Sequence, residues 1–193
     1  MIISLKDKMG MTHLIEVDKT FLNSTRLEFI KNFVEGATVL HVGFVDWPKI
    51  RPNNSLHKNL SPYCKRLDGI DIRPAPETLT IENGKNFTSW SDIENIYDYI
   101  IIPEVLEHVD NVKDFFNILN KYDTKLIITT PDAYLLHHHF EVLENNLFKE
   151  LVHPDHKCWY SPYTLQNTIN SFSNKKVKRL YWNANHSICA VCE

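Results

Sequence analysis

The densest run of residues able to do chemistry is Pro103, Glu104, Val105, Leu106, Glu107, His108 and Val109. On a helical turn, Glu104, Glu107 and His108 stand at i, i+3 and i+4 and share one face. Carboxylates flanking an imidazole raise its pKa and make it a general base, or the three together ligate a divalent cation through mixed oxygen and nitrogen donors. The competing reading is a charged helix start, because acidic side chains suit the positive end of a helix. His153, Pro154, Asp155 and His156 form a second group, in an irregular stretch where histidines serve function more often than packing. Nearby Trp159, Tyr160 and Tyr163 either wall a substrate pocket or cover a sheet edge. Consecutive His137, His138 and His139 point about 100° apart on a helix, cannot converge on one ion, and fit a solvated face. Cys189 and Cys192 make a C-x-x-C, but on a strand residues three apart face opposite sides. With Cys64 and Cys158 they read as reduced thiols of a reducing compartment, and a zinc protein is the least favoured class.

These groups act together only if strand ends gather them. Leu27, Ile30, Phe33 and Val34 follow a polar Asn23, Ser24, Thr25 start at helical spacing, so a helix precedes Gly36. Thr38 to Phe44 reads as a buried strand ending in a glycine turn. Leu56, Leu60 and Cys64 mark a helical stretch interrupted at Pro62. Leu67 to Ile72, Thr78 to Ile81, Tyr97 to Ile102 and Lys125 to Thr129 read as further strands, the fourth rich in isoleucine as in sheets covered on both faces. Val112, Phe115, Phe116 and Leu119 mark a helix capped by Asp110 or Asn111. A helical segment is expected over Ala133 to Phe148, and another after Ser161 and Pro162. Strands at Val177 to Trp182 and His186 to Cys192 close the chain as a hairpin. The pattern predicts an α/β three-layer sandwich around a Rossmann-like seven-stranded, mostly parallel sheet with one antiparallel strand, spanning 1–193 as a single domain with 1–19 as an extension.

On such a sheet, ligands bind beyond the carboxyl ends of the strands. Gly43 there permits close backbone approach, and Asp71 closes the second strand where a carboxylate can accept hydrogen bonds from ribose hydroxyls. A turn or cap aspartate is the alternative for Asp71. Asn83 and Gly84 follow the expected third strand, where an amide could read an adenine edge.

Composition limits the classes. The 193 residues include only five glycines, and neither a G-x-x-x-x-G-K nor an intact G-x-G-x-x-G occurs. With 21 basic and 24 acidic residues, a formal charge of −3 and no run of either sign, binding to nucleic acid or anionic membrane through bulk charge is unsupported. No apolar stretch is long enough to span a bilayer, and the first residues lack a signal-peptide core, so a cytoplasmic location is expected.

Leu67 to Ile72, Tyr97 to Val109 and Thr129 to Asp132 resemble the class I S-adenosylmethionine-dependent methyltransferases, in the branch with the ubiquinone-biosynthesis O-methyltransferase and the small-molecule families. The resemblance covers about Thr20 to Glu193, and Glu-Val-Leu-Glu-His after a Tyr-Asp-Tyr-Ile strand is its most specific piece. The stretch from His153 to Pro162 also looks like a segment found in relatives linked to sugar and polysaccharide modification. The first motif departs from the family pattern: His41 replaces an acid, and Val45 and Trp47 stand where glycines are usual. Gly43, Phe44, Val45 and Asp46 resemble the Gly-Cys-Val-Asp type of turn of some relatives.

The resemblance implies S-adenosylmethionine as cofactor. It assigns His41, Gly43, Phe44, Val45 and Asp46 to the methionine part, Asp71 with Ile72 to the ribose, Asn83 and Gly84 to the adenine, and Pro103 with Glu104 to the neighbourhood of the transferred methyl. In the ubiquinone-pathway enzymes the triplet matching Glu104, Glu107 and His108 is implicated in divalent-metal binding. Most relatives need no metal, and none is expected here. The implied reaction is O-methylation of a small molecule or of a sugar or polysaccharide hydroxyl, with His108, His153 or His156 as base. The rival from another class is a degenerate methyltransferase-like binding or partner subunit.

Overall fold

Ile100, Ile101 and Ile102 set the pattern of the molecule, because each is fully buried and they alternate between two cores, one on each face of a sheet. The computed structural model describes residues 14–46, 50–94, 96–134, 140–143, 147–150, 152–183 and 187–193. The helices are α1 (Arg26–Val34), α2 (Leu56–Leu60), α3 (Val112–Leu119) and α4 (Pro162–Phe172). The strands are β1 (Thr38–Val42), β2 (Arg66–Ile70), β3 (Asn86–Phe87), β4 (Tyr99–Pro103), β5 (Lys125–Pro131), β6 (Phe140–Leu143), β7 (Leu147–Glu150), β8 (Val177–Asn183) and β9 (Ser187–Cys192).

Seven strands form one sheet in the order β3-β2-β1-β4-β5-β9-β8, and β6 pairs with β7 separately. Neighbours from β3 through β5 are parallel, whereas β9 runs antiparallel to both β5 and β8. One strand is therefore reversed, as the sequence pattern predicts. The order turns back between β1 and β4, which makes their carboxyl ends the topological switch point.

Phe29, Ile30 and Val34 of α1 and Leu60 of α2 pack on one face, with Val39, Leu67, Ile101 and Ile127 of the sheet. Phe116 and Leu119 of α3 and Leu165 and Ile169 of α4 pack on the other, with Ile100, Ile102, Leu126 and Ile128. Full burial of each such side chain contributes about 1.5–3 kcal/mol. Cys189 and Cys192 fall in opposite cores as free thiols, which removes the C-x-x-C as a chelating pair.

Capping fixes the helix starts. Thr25 and Glu28 form a reciprocal box on α1, Asn111 caps α3, and Ser161 caps α4 with Pro162 in its first turn. Asp18 lies beside β8, its N–H donating to Leu180 O at 2.9 Å, so the described part of the early chain covers the sheet edge.

Two expected elements differ. Residues 77–79 form a short 3-10 turn, and the third strand is Asn86–Phe87, whose two residues are held by pairing with Gly69 and Ile70 rather than by their own periodicity. The helix expected over Ala133 to Phe148 is not formed among the described residues of that span. Its described backbone is the β6–β7 hairpin, where Phe140 pairs with Glu150 and Leu143 with Leu147. His137, His138 and His139 lie outside the described residues, as do Trp47 and the connection between β8 and β9.

Candidate active site at the switch point

Gly43 follows β1 with φ +72°, a left-handed conformation that favours glycine. A Cβ there would also overlap Val105 Cγ2, so backbone conformation and packing together account for the glycine. The next residues turn inward: Phe44 and Val45 are buried with Leu79, and the Phe44 ring lies where a Cβ on Gly69 would stand, 2.7 Å from its ring carbons. Asp71, at the end of β2, is buried and accepts hydrogen bonds from the Val45 and Arg73 N–H groups, each at 3.0 Å. It thus pins the loop after β1 to β2, and each oxygen retains a further acceptor site. Beside it Ile72 is 87% exposed, an apolar side chain turned outward at the rim. Asp46 is exposed there too, its carboxyl raised by partial desolvation against the opposing pull of Arg26 and Arg51.

His41 lies beneath this turn, buried inside the protein. Its Nδ1 meets Nδ1 of His57 at 3.3 Å, and the His57 ring lies against Phe44 with centroids 4.5 Å apart. Burial pushes His41 well below the ordinary histidine range and His57 down to about 4, so both are neutral and one donates to the other. The motif position read as a cofactor contact is therefore a support under the loop.

At the ends of β4 and β5 the geometry is different. Glu104, directly after Pro103, has φ +52°, the one described non-glycine residue with positive φ. Such a conformation costs about 1–3 kcal/mol and persists where surrounding bonds hold it. Here the Glu104 N–H donates to Thr129 O at 2.8 Å, and Glu104 Oε1 receives Thr129 Oγ1 at 2.8 Å, Ser187 Oγ at 3.2 Å and Arg26 at 3.2 Å. The turn redirects the chain into a 3-10 segment, Leu106–His108. Glu104 consequently does not share a helical face with Glu107 and His108.

Glu107 is 1% exposed, and its carboxyl oxygens make no hydrogen bond of ordinary geometry among the described residues; the Thr130 side chain acts on it weakly, and His108 Nε2 stands 4.0 Å from Oε1. Burial, reinforced by the Glu104 charge, pushes it up to about 8. An orphaned carboxyl of this kind costs free energy that a ligand can recover. The irregular segment 152–159 folds over it, with Lys157 N–H donating to Glu107 O at 2.7 Å. That brings the His156 ring to 4.7 Å from His108 and the His153 ring to 5.4 Å from it, between centroids. One ligand atom each from Glu107, His108 and His156 lie within 4.8 Å of one another. A carboxylate and two imidazoles are a donor set of the kind a divalent cation takes, and the set differs from Glu104, Glu107 and His108, which spacing suggested. Burial lowers His108 despite a bond to the Asp155 backbone, leaving the ring neutral. His153 is exposed, and its Nδ1 accepts the Asp155 N–H at 3.3 Å.

Gly43, Phe44, Val45, Asp46, Asp71, Ile72, Pro103 and Glu104 thus gather at one rim, with His108, His153 and His156 beside them. Asn83 and Gly84 do not. Asn83 O accepts the Leu67 N–H at 3.1 Å, and its side chain is committed to Ser61 and Cys64, which sets both residues at the amino end of β2. A Cβ on Gly84 would overlap Leu67 O, so packing explains that glycine as well. The segment that does follow β3 at the rim begins with Thr88 and Ser89, both exposed, and moves there because the third strand lies later than the sequence suggests.

Arg26 and Ser187 belong to the site and carry no motif. Arg26 is visible only by topology: a helix that leads into the first parallel strand starts at the carboxyl edge of the sheet. Asn183 Nδ2 fixes that start by donating to Ser24 O at 2.8 Å.

No protein-family model matches the chain, and no curated relative matches its sequence. Solved structures do. A SAM-dependent methyltransferase from Aquifex aeolicus superposes with TM-score 0.57 at 14% identity, covering 87% of this chain and 89% of that one. The N-methyltransferase NodS from Bradyrhizobium japonicum, in complex with S-adenosyl-L-homocysteine, gives 0.52 at 12% identity, covering 89% of each. The small RNA methyltransferase HEN1 gives 0.61 at 16%, covering 94% of this chain and 27% of that one. The chain has the fold of these methyltransferases.

Proposed function

We propose that the chain is an S-adenosylmethionine-dependent methyltransferase acting on a hydroxyl oxygen of a small molecule or a sugar. The observation that carries this reading is the buried Glu107 carboxyl beside His108 and His156 after β4, on the same sheet edge as Asp71 after β2, a strand-end carboxylate that keeps acceptor sites open. The cofactor would lie across β2, β1 and β4, with its ribose hydroxyls at Asp71, its adenine over exposed Ile72 toward Thr88 and Ser89, and its sulfonium toward Glu104. The acidic groups Asp46, Asp71 and Glu104 suit a ligand bearing sulfonium and ammonium charges. NodS, a neighbour by fold, is one of those solved with S-adenosyl-L-homocysteine.

Transfer to a hydroxyl requires its proton to leave. His108 is neutral, with its ring fixed at the Asp155 backbone, and offers a lone pair for that proton. His153 and His156 complete the wall. With Glu107, His108 and His156 instead holding a divalent ion, the ion would polarise the hydroxyl and lower its pKa, and His108 would not be the base. HEN1 is a small RNA methyltransferase, but a formal charge of −3 with no basic run favours a small or uncharged acceptor here.

A binding or partner subunit is the second reading, favoured by the buried Val45 side chain where the family pattern has a glycine. Transfer of labelled methyl from S-adenosylmethionine to a panel of hydroxyl acceptors, with added Mg²⁺ or Mn²⁺ and with chelator, separates them. Label transferred to an acceptor oxygen, and lost in Glu107→Gln, supports the enzyme. Cofactor bound without transfer under any of these conditions supports the partner subunit.

A further inference from the structure

We infer that Thr130 is a positioning residue whose hydroxyl orients the Glu107 carboxylate toward His108 and His156, an assignment that rests on the reading above in which those three hold a divalent ion. Thr129 and Thr130 are consecutive near the carboxyl end of β5, and strand alternation sends them to opposite faces of the sheet. Thr129 pairs with Cys189 on the α1 face, where its hydroxyl donates to Glu104 Oε1 at 2.8 Å. Thr130 pairs with Ile188 and shares its face, that of α3 and α4. The 3-10 segment Leu106–His108 packs against β5, and Glu107 comes close enough for the Thr130 hydroxyl to act on its carboxyl. Each glutamate of the turn after β4 thus has its own threonine on β5.

The second pair differs from the first in that it is not closed. Thr130 is fully buried, and its Oγ1 has no hydrogen-bond partner among the described residues. Tyr160, whose phenol also feels the Glu107 charge, is engaged with the Cys158 side chain. Packing gives no reason for a hydroxyl at this place, because valine has nearly the same shape, suits a strand as well and would bury no unmet donor. A cation supplies the reason. A carboxylate holds an ion only when it faces it, and donors behind the ligating groups commonly fix that direction. The Thr130 O–H can rotate about its Cβ–Oγ bond and donate to whichever Glu107 oxygen the ion leaves free.

The test is calorimetric titration with Mn²⁺ of the wild-type chain, Thr130→Val and Thr130→Ser, alongside thermal melts of the same proteins without metal. The wild type is expected to bind one Mn²⁺ at a site that Glu107→Gln loses. Thr130→Val should bind it about ten- to a hundredfold more weakly, the range for a group behind a metal ligand, yet melt at or above the wild-type temperature. Thr130→Ser should restore most of the affinity. Wild-type Mn²⁺ affinity in Thr130→Val overturns the assignment and leaves the cation reading standing. Weaker binding together with a lower melting temperature overturns it too, because the hydroxyl is then a structural group. A folded wild type that binds no Mn²⁺ overturns both the assignment and the cation reading, and titration with S-adenosylhomocysteine then judges the cofactor reading separately. Should Thr130→Val not fold, Thr130→Ser against Thr130→Ala decides, since the two differ by the hydroxyl alone and equal Mn²⁺ affinities contradict a positioning role.

Discussion

The two halves of the rim differ in how completely their polar groups are satisfied. At β1 and β2, Asp71 bonds two backbone N–H groups, His41 and His57 pair with each other, and the glycines at 43 and 69 make room for Val105 and Phe44. At β4 and β5, Glu104 is held with φ +52°, and Glu107 is buried with no hydrogen bond of ordinary geometry to either carboxyl oxygen among the described residues. The first half is the more fully bonded scaffold, with His57 Nε2 its one buried ring nitrogen left without a hydrogen-bond partner among the described residues. The second stores strain and an unmet polar demand, which native structures tolerate where a ligand repays it.

Exchanging the orphan tests this contrast most severely. Glu107→Gln should lower methyl transfer by about a hundredfold or more, while thermal stability holds within about 1 kcal/mol or rises, because a desolvated acid has been removed. Activity and stability falling together in a denaturation series would make Glu107 a structural residue and erase the distinction.

The scaffold half has its own signature in pH. Burial depresses His57 from 6.5 to about 4, and His41 in the same direction. The unfolded chain therefore binds protons that the native chain refuses, and stability falls as pH drops from about 6.5 to 4, by about 3 kcal/mol for His57 alone. Above pH 6.5 this contribution is flat. Urea titrations across that window should show the loss, and His57→Phe should shrink it; a pH profile unchanged by the substitution would contradict the buried pair.

Removing Asp71 should affect both fold and ligand. Asp71→Ala is expected to cost about 2 kcal/mol by freeing the Val45 and Arg73 N–H groups, and to weaken S-adenosylhomocysteine binding in the same protein. Wild-type stability with weakened binding would show that the loop does not depend on this carboxylate.

The smallest effect separates packing from ligand approach at the glycine. Gly43→Ala should destabilise by about 1–2 kcal/mol, and adding Val105→Ala should recover part of it by removing the overlapping methyl. No recovery in the double variant would return the glycine to a purely conformational role.

Elements with strong local signals were legible in sequence. Ile100 to Ile102 read as a doubly covered strand, and Ser161 with Pro162 marked the start of α4. Asn86–Phe87 did not, since two residues carry no period and only pairing with β2 makes them a strand. That displacement carried the adenine assignment to Asn83 and Gly84, at the wrong end of β2. Phe140, Glu141 and Val142 alternate in a way that suits the observed β6, yet isolated alternation of this length competes poorly with helical composition. Glu107, His108 and His156 were each visible as types, but their convergence was not. It depends on Glu104 adopting positive φ and on Lys157 binding the Glu107 carbonyl, neither of which spacing encodes.

Calorimetric titration of the folded chain with S-adenosylhomocysteine tests the central claim most directly. One site in about the micromolar to millimolar range, lost or weakened in Asp71→Ala, is the predicted result. A folded sample that gives neither heat nor a thermal shift with this ligand or with S-adenosylmethionine would contradict it.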